Sequence, residues 1–177
     1  NAAELSPVPT PHPVPVASPR ADVPREELLV VTHEEARYTF TTHGGGLKLI
    51  ELMDYPAQVS TRSKRHAGLT NWASLNTSAP LPVMAAVGGA SVHGNGVFDL
   101  SQSNGVIRAE KTLTNGLTLI KDFELLSNHL FHVKLRLENR SSQPLALPAQ
   151  EWIAGTATPV GAVDDPTMLG VFWYDGR

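Results

Sequence analysis

The amino-acid sequence predicts an all-β protein, a twisted antiparallel β-sandwich, and its longest periodic stretch is the main reason. Residues 107–147 alternate apolar and polar side chains over three consecutive runs. Asn115-Gly116 separates two of these runs and predicts a two-residue type I′ hairpin turn, in which both central residues have positive φ angles. Because such a meander cannot bury its apolar face alone, a second sheet has to cover it.

The third of these runs shows the half-buried pattern most clearly. Its apolar positions are Phe131, Val133, Leu135 and Leu137, and its polar positions are His132, Lys134, Arg136 and Glu138. One face of this strand is therefore expected to cover a core and the other to face solvent. The cluster at 139–143 ahead of Pro144 then predicts a turn, after which Leu145 and Leu147 resume the period.

Shorter strands are predicted before the meander. Residues 28–32 and 36–41 read as two strands separated by a turn at 33–35, and the glycines at 44–46 connect to a further strand at 47–52. These glycines do not predict a phosphate loop, because no Gly-Lys-Ser/Thr follows and no helix is expected after them. Loops are expected over most of 54–103, with strands at 97–100 and 106–109.

Composition indicates how the chain divides and which function classes it excludes. Residues 1–24 hold seven of the 14 prolines, so residues 1–26 are expected to form an extended linker and 27–177 the folded domain. The net charge of −3 predicts no general affinity for nucleic acid. Cysteine is absent, which removes disulfides and thiolate chemistry. The apolar strand predicted at 168–174 needs cover on both faces, so the domain is expected to continue past Arg177.

No catalytic motif, cofactor-binding motif or metal-ligand ladder is present, so no catalytic, cofactor-binding or metal-binding residue is predicted. Several weaker alternatives stay open. An acid–base pair could combine a histidine with a glutamate, three tryptophans could form a ligand platform, two histidines could share a metal, and a basic loop could contact an acidic partner or anionic lipid. The residues concerned are His43, His93 or His132 with Glu51, Glu124 or Glu151; Trp72, Trp152 and Trp173; His129 with His132; and 62–66.

Four blocks of the sequence, taken in order, resemble the periplasmic domain of the YidC family of bacterial membrane protein insertases. The first is ARYTFTTHGGGLKLIELMDY at 36–55, and the second is KTLTNGLTLIKDFELLSNHLFHVKLRLENRSSQPL at 111–145. A segment at 151–155 and a strand ending in WYDG at 173–176 follow. The resemblance spans about 28–176 and depends on the succession of the blocks, since none of them is a catalytic signature.

The resemblance implies a sandwich of the galactose-mutarotase-like supersandwich type on the periplasmic side of the bacterial inner membrane. In this family a transmembrane helix precedes the Pro-rich linker, and the insertase core lies in further transmembrane segments, through which alone the protein would contact the membrane. We therefore expect a non-enzymatic scaffold and interaction domain without a cofactor, which aids insertion and folding of membrane proteins. Its expected partners, reached through the full-length protein, are Sec translocon components or nascent membrane proteins.

A second hypothesis from a different class is a carbohydrate-binding or aldose-epimerase-like module on the same sandwich. Such a site requires a histidine and a carboxylate that converge in a concave sheet face within hydrogen-bond reach of one sugar. A neighbouring Trp72 or Trp152 would favour this hypothesis.

Overall fold

The structure, a computed structural model, describes residues 24–57, 72–147, 149–157 and 167. Within these residues it contains ten β-strands and one short helix. The strands are β1 Leu28–His33, β2 Ala36–Thr41, β3 Gly46–Pro56, β4 Trp72–Leu75, β5 Ala86–Val87, β6 Asp99–Ser103, β7 Val106–Thr112, β8 Leu117–Leu125, β9 Phe131–Asn139 and β10 Glu151–Trp152, and the helix is α1 Ala90–His93.

The strands form two four-stranded antiparallel sheets and one small sheet. The first large sheet has the order β1-β2-β3-β4 and the second the order β6-β7-β8-β9, while β5 pairs with β10. Each large sheet is a simple meander, because every strand pairs with its neighbours in the sequence. The predicted all-β antiparallel fold is confirmed.

The inner faces of the two large sheets meet in one hydrophobic core. The rings of Phe40 on β2 and Phe123 on β8 pack edge to face, with centroids 5.1 Å apart and an interplanar angle of 62°. Tyr38 and Leu47 extend the core on the first sheet, and Ile107, Ala109, Leu117 and Leu119 extend it on the second. Since neither sheet could bury these residues alone, their contact forms the sandwich.

The alternation predicted for residues 131–138 is confirmed in β9. Phe131, Val133 and Leu137 pack against the core, whereas Arg136 and Glu138 form ion pairs with other residues. The strand is held in register by nine pairings with β8, among them Val133 opposite Phe123. The period does not resume as a strand after the turn: Leu145 still packs against the core, but Leu147 is exposed and residues 144–147 pair with no strand among the described residues.

The predicted type I′ turn at Asn115-Gly116 is wrong. Gly116 has a positive φ of 88°, but Asn115 does not have a positive φ. The amide of Gly116 donates to Leu113 O (2.9 Å) and the amide of Leu113 donates to Leu117 O (2.8 Å). These bonds define a three-residue connection, a tight turn followed by a glycine in the left-handed region. The Asn115 side chain accepts a hydrogen bond from the Leu117 amide (3.1 Å), which favours this longer connection.

The paired positive φ angles occur one hairpin earlier, between β6 and β7. Asn104 has φ 51° and Gly105 has φ 78°, and Ser103 pairs directly with Val106. This is the two-residue geometry whose twist matches that of the flanking strands.

Within 54–103, the described residues 54–57 and 72–103 form more regular structure than the predicted loops. They contain the end of β3, strands β4 and β5, helix α1 and all of β6, and an isolated bridge joins Leu47 to Val83. Several predictions lie outside the described residues, namely those for 1–23, 62–66 and 168–174, which include Trp173. Among the described residues no helix has the length and apolar character needed to cross a membrane.

Candidate functional site

Of the candidate acid–base residues, the structure brings His132 and Glu124 together. They are cross-strand partners on β9 and β8, and His132 Nδ1 lies 3.9 Å from Glu124 Oε2. Both side chains are largely exposed, at 65% for His132 and 57% for Glu124. The pair is therefore an open surface contact.

The other candidate residues have separate partners. The ring of His43 bonds to Pro24 O through Nε2 (2.9 Å), and Glu51 accepts hydrogen bonds from Arg37 across β2 and β3. His93 ends helix α1. Glu151 lies opposite Val87 in the small sheet. The predicted alternatives that combine these residues are thus not assembled among the described residues.

His132 and Glu124 line an open groove of about 610 Å³ on the outer face of the second sheet. Ser101 on β6, Arg108 on β7 and Lys134 on β9 contribute to the same surface. Because side chains alternate along each strand, these residues share the face opposite the core. We call this surface the polar groove.

Asp122 lies at the centre of the polar groove and receives hydrogen bonds from two arginines. Arg108 Nε donates to Asp122 Oδ1 (2.6 Å) and Arg136 Nη2 donates to Asp122 Oδ2 (3.2 Å). The hydrogen bond from Arg108 is the largest cause that lowers the pKa of the Asp122 carboxyl below its ordinary value. This carboxylate is held in its charged form and in one orientation.

Arg136 connects Asp122 to further ion pairs across the outer face, and we call this chain from Arg108 to Glu110 the ion-pair ladder. Arg136 lies 3.5 Å from Glu138, and Arg140 lies 3.2 Å from Glu138 and 2.9 Å from Glu110. Lys134 is a groove cation without an ion pair among the described residues. Most of the charge on this face is therefore compensated by ion pairs among the described residues, with Lys134 as the exception.

The tryptophans do not form a platform at the polar groove. Trp72 stacks with Arg37, whose guanidinium carbon lies 4.8 Å from the ring centroid, on the outer face of the first sheet. Trp152 is half-buried and packs against the core. Neither of these two residues lines the groove, so the described part of the chain lacks the aromatic cover expected of a sugar site.

The structure assembles no metal site from the described residues, since no group of three or more potential ligands converges there. His129 and His132, the histidine pair considered for a metal, have different neighbours. The ring of His129 packs edge to face with Tyr55, with centroids 6.5 Å apart, and His132 faces Glu124.

The sequence reasoning missed the most unusual ionisable group, Lys121 on β8. This lysine is fully buried between the sheets. Its ammonium donates three hydrogen bonds to backbone carbonyls, at 2.6 Å to Gly44 O, 3.0 Å to Gly45 O and 2.8 Å to Met84 O. Burial lowers its pKa to about 7.

Two aromatic rings complete the surroundings of Lys121. Its Nζ lies 4.1 Å from the ring centroid of Phe98 and 5.4 Å from that of Trp152, distances at which a cation is attracted to the ring face. The ammonium thereby joins the β2–β3 connection, the segment before β5 and strand β10. The buried Lys121 amine, which lies on the second large sheet, therefore links this sheet to the first large sheet and to the small sheet.

A signal for Lys121 was present in the sequence. Leu117, Leu119 and Phe123 occupy alternating core positions on β8, and Lys121 falls in the same alternating series. A lysine in an apolar row indicates a buried amine, although it does not indicate which groups the amine contacts. Gly45 fits this environment, because its φ is 55° and an added Cβ would overlap the Phe98 ring.

These features define the chain as an antiparallel β-sandwich domain with a polar outer groove. A family model described as the YidC periplasmic domain matches residues 28–175, and the chain therefore belongs to this family. The chain is accordingly a domain of a membrane protein insertase, and the family places it on the periplasmic side of a membrane protein. The comparisons with curated proteins and with solved structures found no match.

Proposed function

We propose that this chain is a non-catalytic scaffold and interaction domain, through which an inner-membrane insertase contacts its periplasmic partners during insertion and folding of membrane proteins. The family match over residues 28–175 carries this proposal. It supports an insertase domain, and the surface chemistry favours contact with other proteins over a reaction at a site.

The surface supports this proposal through the exposure of its ionisable groups. General acid–base and electrostatic catalysis work best where water is excluded, whereas His132 and Glu124 stand open to solvent. Salt-bridged side chains on a sheet face provide instead a shaped and charged contact surface, which gives specificity to protein association. The ammonium of Lys134, which has no ion pair among the described residues, could bind an acidic group of a partner protein.

The proposed partners are Sec translocon components or emerging segments of nascent membrane proteins, reached as part of the full-length insertase. Residues 1–26 act in this proposal as a spacer after a transmembrane helix, which places the domain away from the bilayer surface. The membrane is contacted through the transmembrane segments of the full-length protein and not through the sandwich.

Site-specific photocrosslinking in cells tests the proposal on the full-length insertase. A photoreactive residue is placed at Asn104 and at Lys134 in the polar groove, with Thr114 at the β7–β8 hairpin tip as the matched exposed control. We expect crosslinks to translocon or nascent-chain proteins from the groove positions and fewer from Thr114. If neither groove position gives a protein crosslink, and an insertase lacking residues 27–177 inserts its clients at the wild-type rate, the proposal is wrong.

The carbohydrate hypothesis is retained as a second candidate, because one observation favours it. The polar groove contains His132 and Glu124 as cross-strand neighbours, which is the pair that this hypothesis requires. Against it, neither Trp72 nor Trp152 lines the groove. Calorimetry with monosaccharides separates the two candidates.

A further inference from the structure

Among the described residues β1 is an edge strand, and its own sequence lacks the usual protection of sheet edges. Natural edge strands are commonly blocked by charged residues, proline, bulges or very short length. The edge strand β9 carries Lys134 and Arg136, and β4 has four residues. In contrast, β1 has the sequence LLVVTH over Leu28–His33, with no proline and no acidic or basic residue before the terminal histidine.

The alternating hydrogen-bond pattern between β1 and β2 determines which backbone groups of β1 are unpaired. Glu27 O accepts a hydrogen bond from the Thr42 amide (3.0 Å), and pairing in an antiparallel ladder alternates from residue to residue. The N–H and C=O groups of Leu28, Val30 and Thr32 therefore point away from β2. None of these groups has a backbone partner among the described residues outside β1 and β2.

The side chains of β1 favour an apolar strand beside it. Leu28 is 54% exposed and Val30 is 52% exposed on the outer face, while Leu29 and Val31 pack against the core from the inner face and remain partly accessible. An added strand would therefore cover apolar side chains on both faces of the sheet.

Acidic side chains mark the turn end of this edge. Glu34 and Glu35 form the β1–β2 turn, and Asp54 bonds to Glu35, which raises the pKa of Glu35. The exposed carboxylates at this turn attract a cation. At the opposite end Glu27 is exposed, whereas Glu26 is paired with Lys48 at 2.6 Å.

We propose that the free edge of β1 binds an extended apolar segment of a client protein by β-strand addition, with a lysine or arginine of that segment beside the Glu34–Glu35 turn. This inference rests on the proposed interaction function and names its partner chemistry. Backbone hydrogen bonds provide the affinity, and the alternating apolar positions together with the acidic turn provide the selectivity.

Hydrogen exchange measured by mass spectrometry on the full-length insertase tests this proposal. The probe is a peptide that alternates valine and threonine and carries a lysine at each end. A matched control peptide is N-methylated at alternate amides, so that it keeps the side chains and loses the pairing edge. We expect the unmodified peptide to slow exchange at Leu28, Val30 and Thr32 and the N-methylated peptide to leave it unchanged.

Two variants distinguish peptide binding by strand addition at β1 from non-specific apolar binding elsewhere on the surface. Val30→Lys adds a charge of the kind that blocks strand addition at other sheet edges. It is expected to weaken peptide binding at least about tenfold, equivalent to about 1.4 kcal/mol. Leu75→Lys places the same charge at an exposed leucine of β4 and is expected to leave binding within about twofold.

Three results would overturn the proposal: unchanged exchange in β1 with peptide, equal protection by the N-methylated peptide, or protection of β1 that depends on insertase concentration without peptide. The last result would assign the edge to a second copy of the chain. Groove crosslinks at Asn104 and Lys134 that persist in any of these cases leave the interaction function standing, so the two failures are distinguishable.

Discussion

The ammonium nitrogen of Lys121 lies 4.1 Å from the ring centroid of Phe98, inside the sandwich. Its hydrogen-bond partners are the carbonyls of Gly44, Gly45 and Met84, and none of the described carboxylates forms an ion pair with it. Backbone dipoles and aromatic faces thus contact the amine in place of water and a counter-ion, but they offset only part of the cost of burying its charge. The stability of the domain should therefore depend on this one side chain.

Truncation of this lysine is the first prediction. Lys121→Ala should lower the free energy of unfolding by about 2–4 kcal/mol, because it leaves a cavity and three carbonyls without their donor. Urea denaturation at neutral pH measures the change. The control is Lys134→Ala on the exposed face of β9, for which we expect a change within about 0.5 kcal/mol. Equal denaturation midpoints for wild type and Lys121→Ala would contradict the structural role.

The pH dependence of stability is the second prediction. Burial lowers the pKa of Lys121 to about 7, so above this pH the folded protein releases a proton that the unfolded chain keeps until about pH 10.5. Stability of the wild type relative to Lys121→Met should therefore rise between these pH values, by at most about 1.4 kcal/mol per pH unit. Parallel urea titrations from pH 6 to 10 measure the difference, and a constant difference would show that the folded pKa is not lowered.

Asp122, which joins the polar groove to the ion-pair ladder, provides the third prediction. Asp122→Asn should cost about 1–2 kcal/mol at pH 7, because two arginines lose a charged acceptor. The pKa of Asp122 is lowered by Arg108, so the advantage of the wild type is complete above about pH 4 and decreases as the pH falls below it. Denaturation at pH 7 and at a pH well below about 4 tests this. Glu124→Gln serves as the exposed control, and a loss as large in this variant would assign the effect to net charge.

Binding of monosaccharides is the fourth prediction. Galactose or glucose at millimolar concentration should give no saturable heat in calorimetry, because the polar groove is open and small-ligand sites usually bury about 70–90% of their ligand. Saturable heat that disappears in Glu124→Gln would instead establish a sugar site at the His132–Glu124 pair. That result would reverse the order of the two candidate functions.

The strands could be predicted because their pattern is local. The alternation and the turn residues correctly predicted the positions of β1, β2 and β9. A strand with one buried face shows its two-residue period directly in the sequence. The turn at Asn115-Gly116 was predicted in the wrong form, because the dipeptide suits both hairpin types. The register of Thr112 opposite Thr118 and the hydrogen bond from the Leu117 amide to the Asn115 side chain selected the longer one.

Neither the groove pair nor the lysine environment could be derived from the sequence. Glu124 and His132 meet only because the β8–β9 register places them opposite each other. Lys121 depends on Gly44 and Gly45, which lie 77 and 76 residues away along the chain. No local pattern reports contacts at such separations.

The sequence by itself determined the class of fold, the alternation of buried and exposed faces, and the succession of blocks that marks the family. Each of these depends on neighbouring residues and on the two-residue period of a strand. Tertiary structure alone decided which side chains converge and which strands lie at the sheet edges in the described part of the chain. These outcomes depend on how the two sheets stack and on strand register, because packing between distant segments selects one arrangement among many that the same local pattern permits.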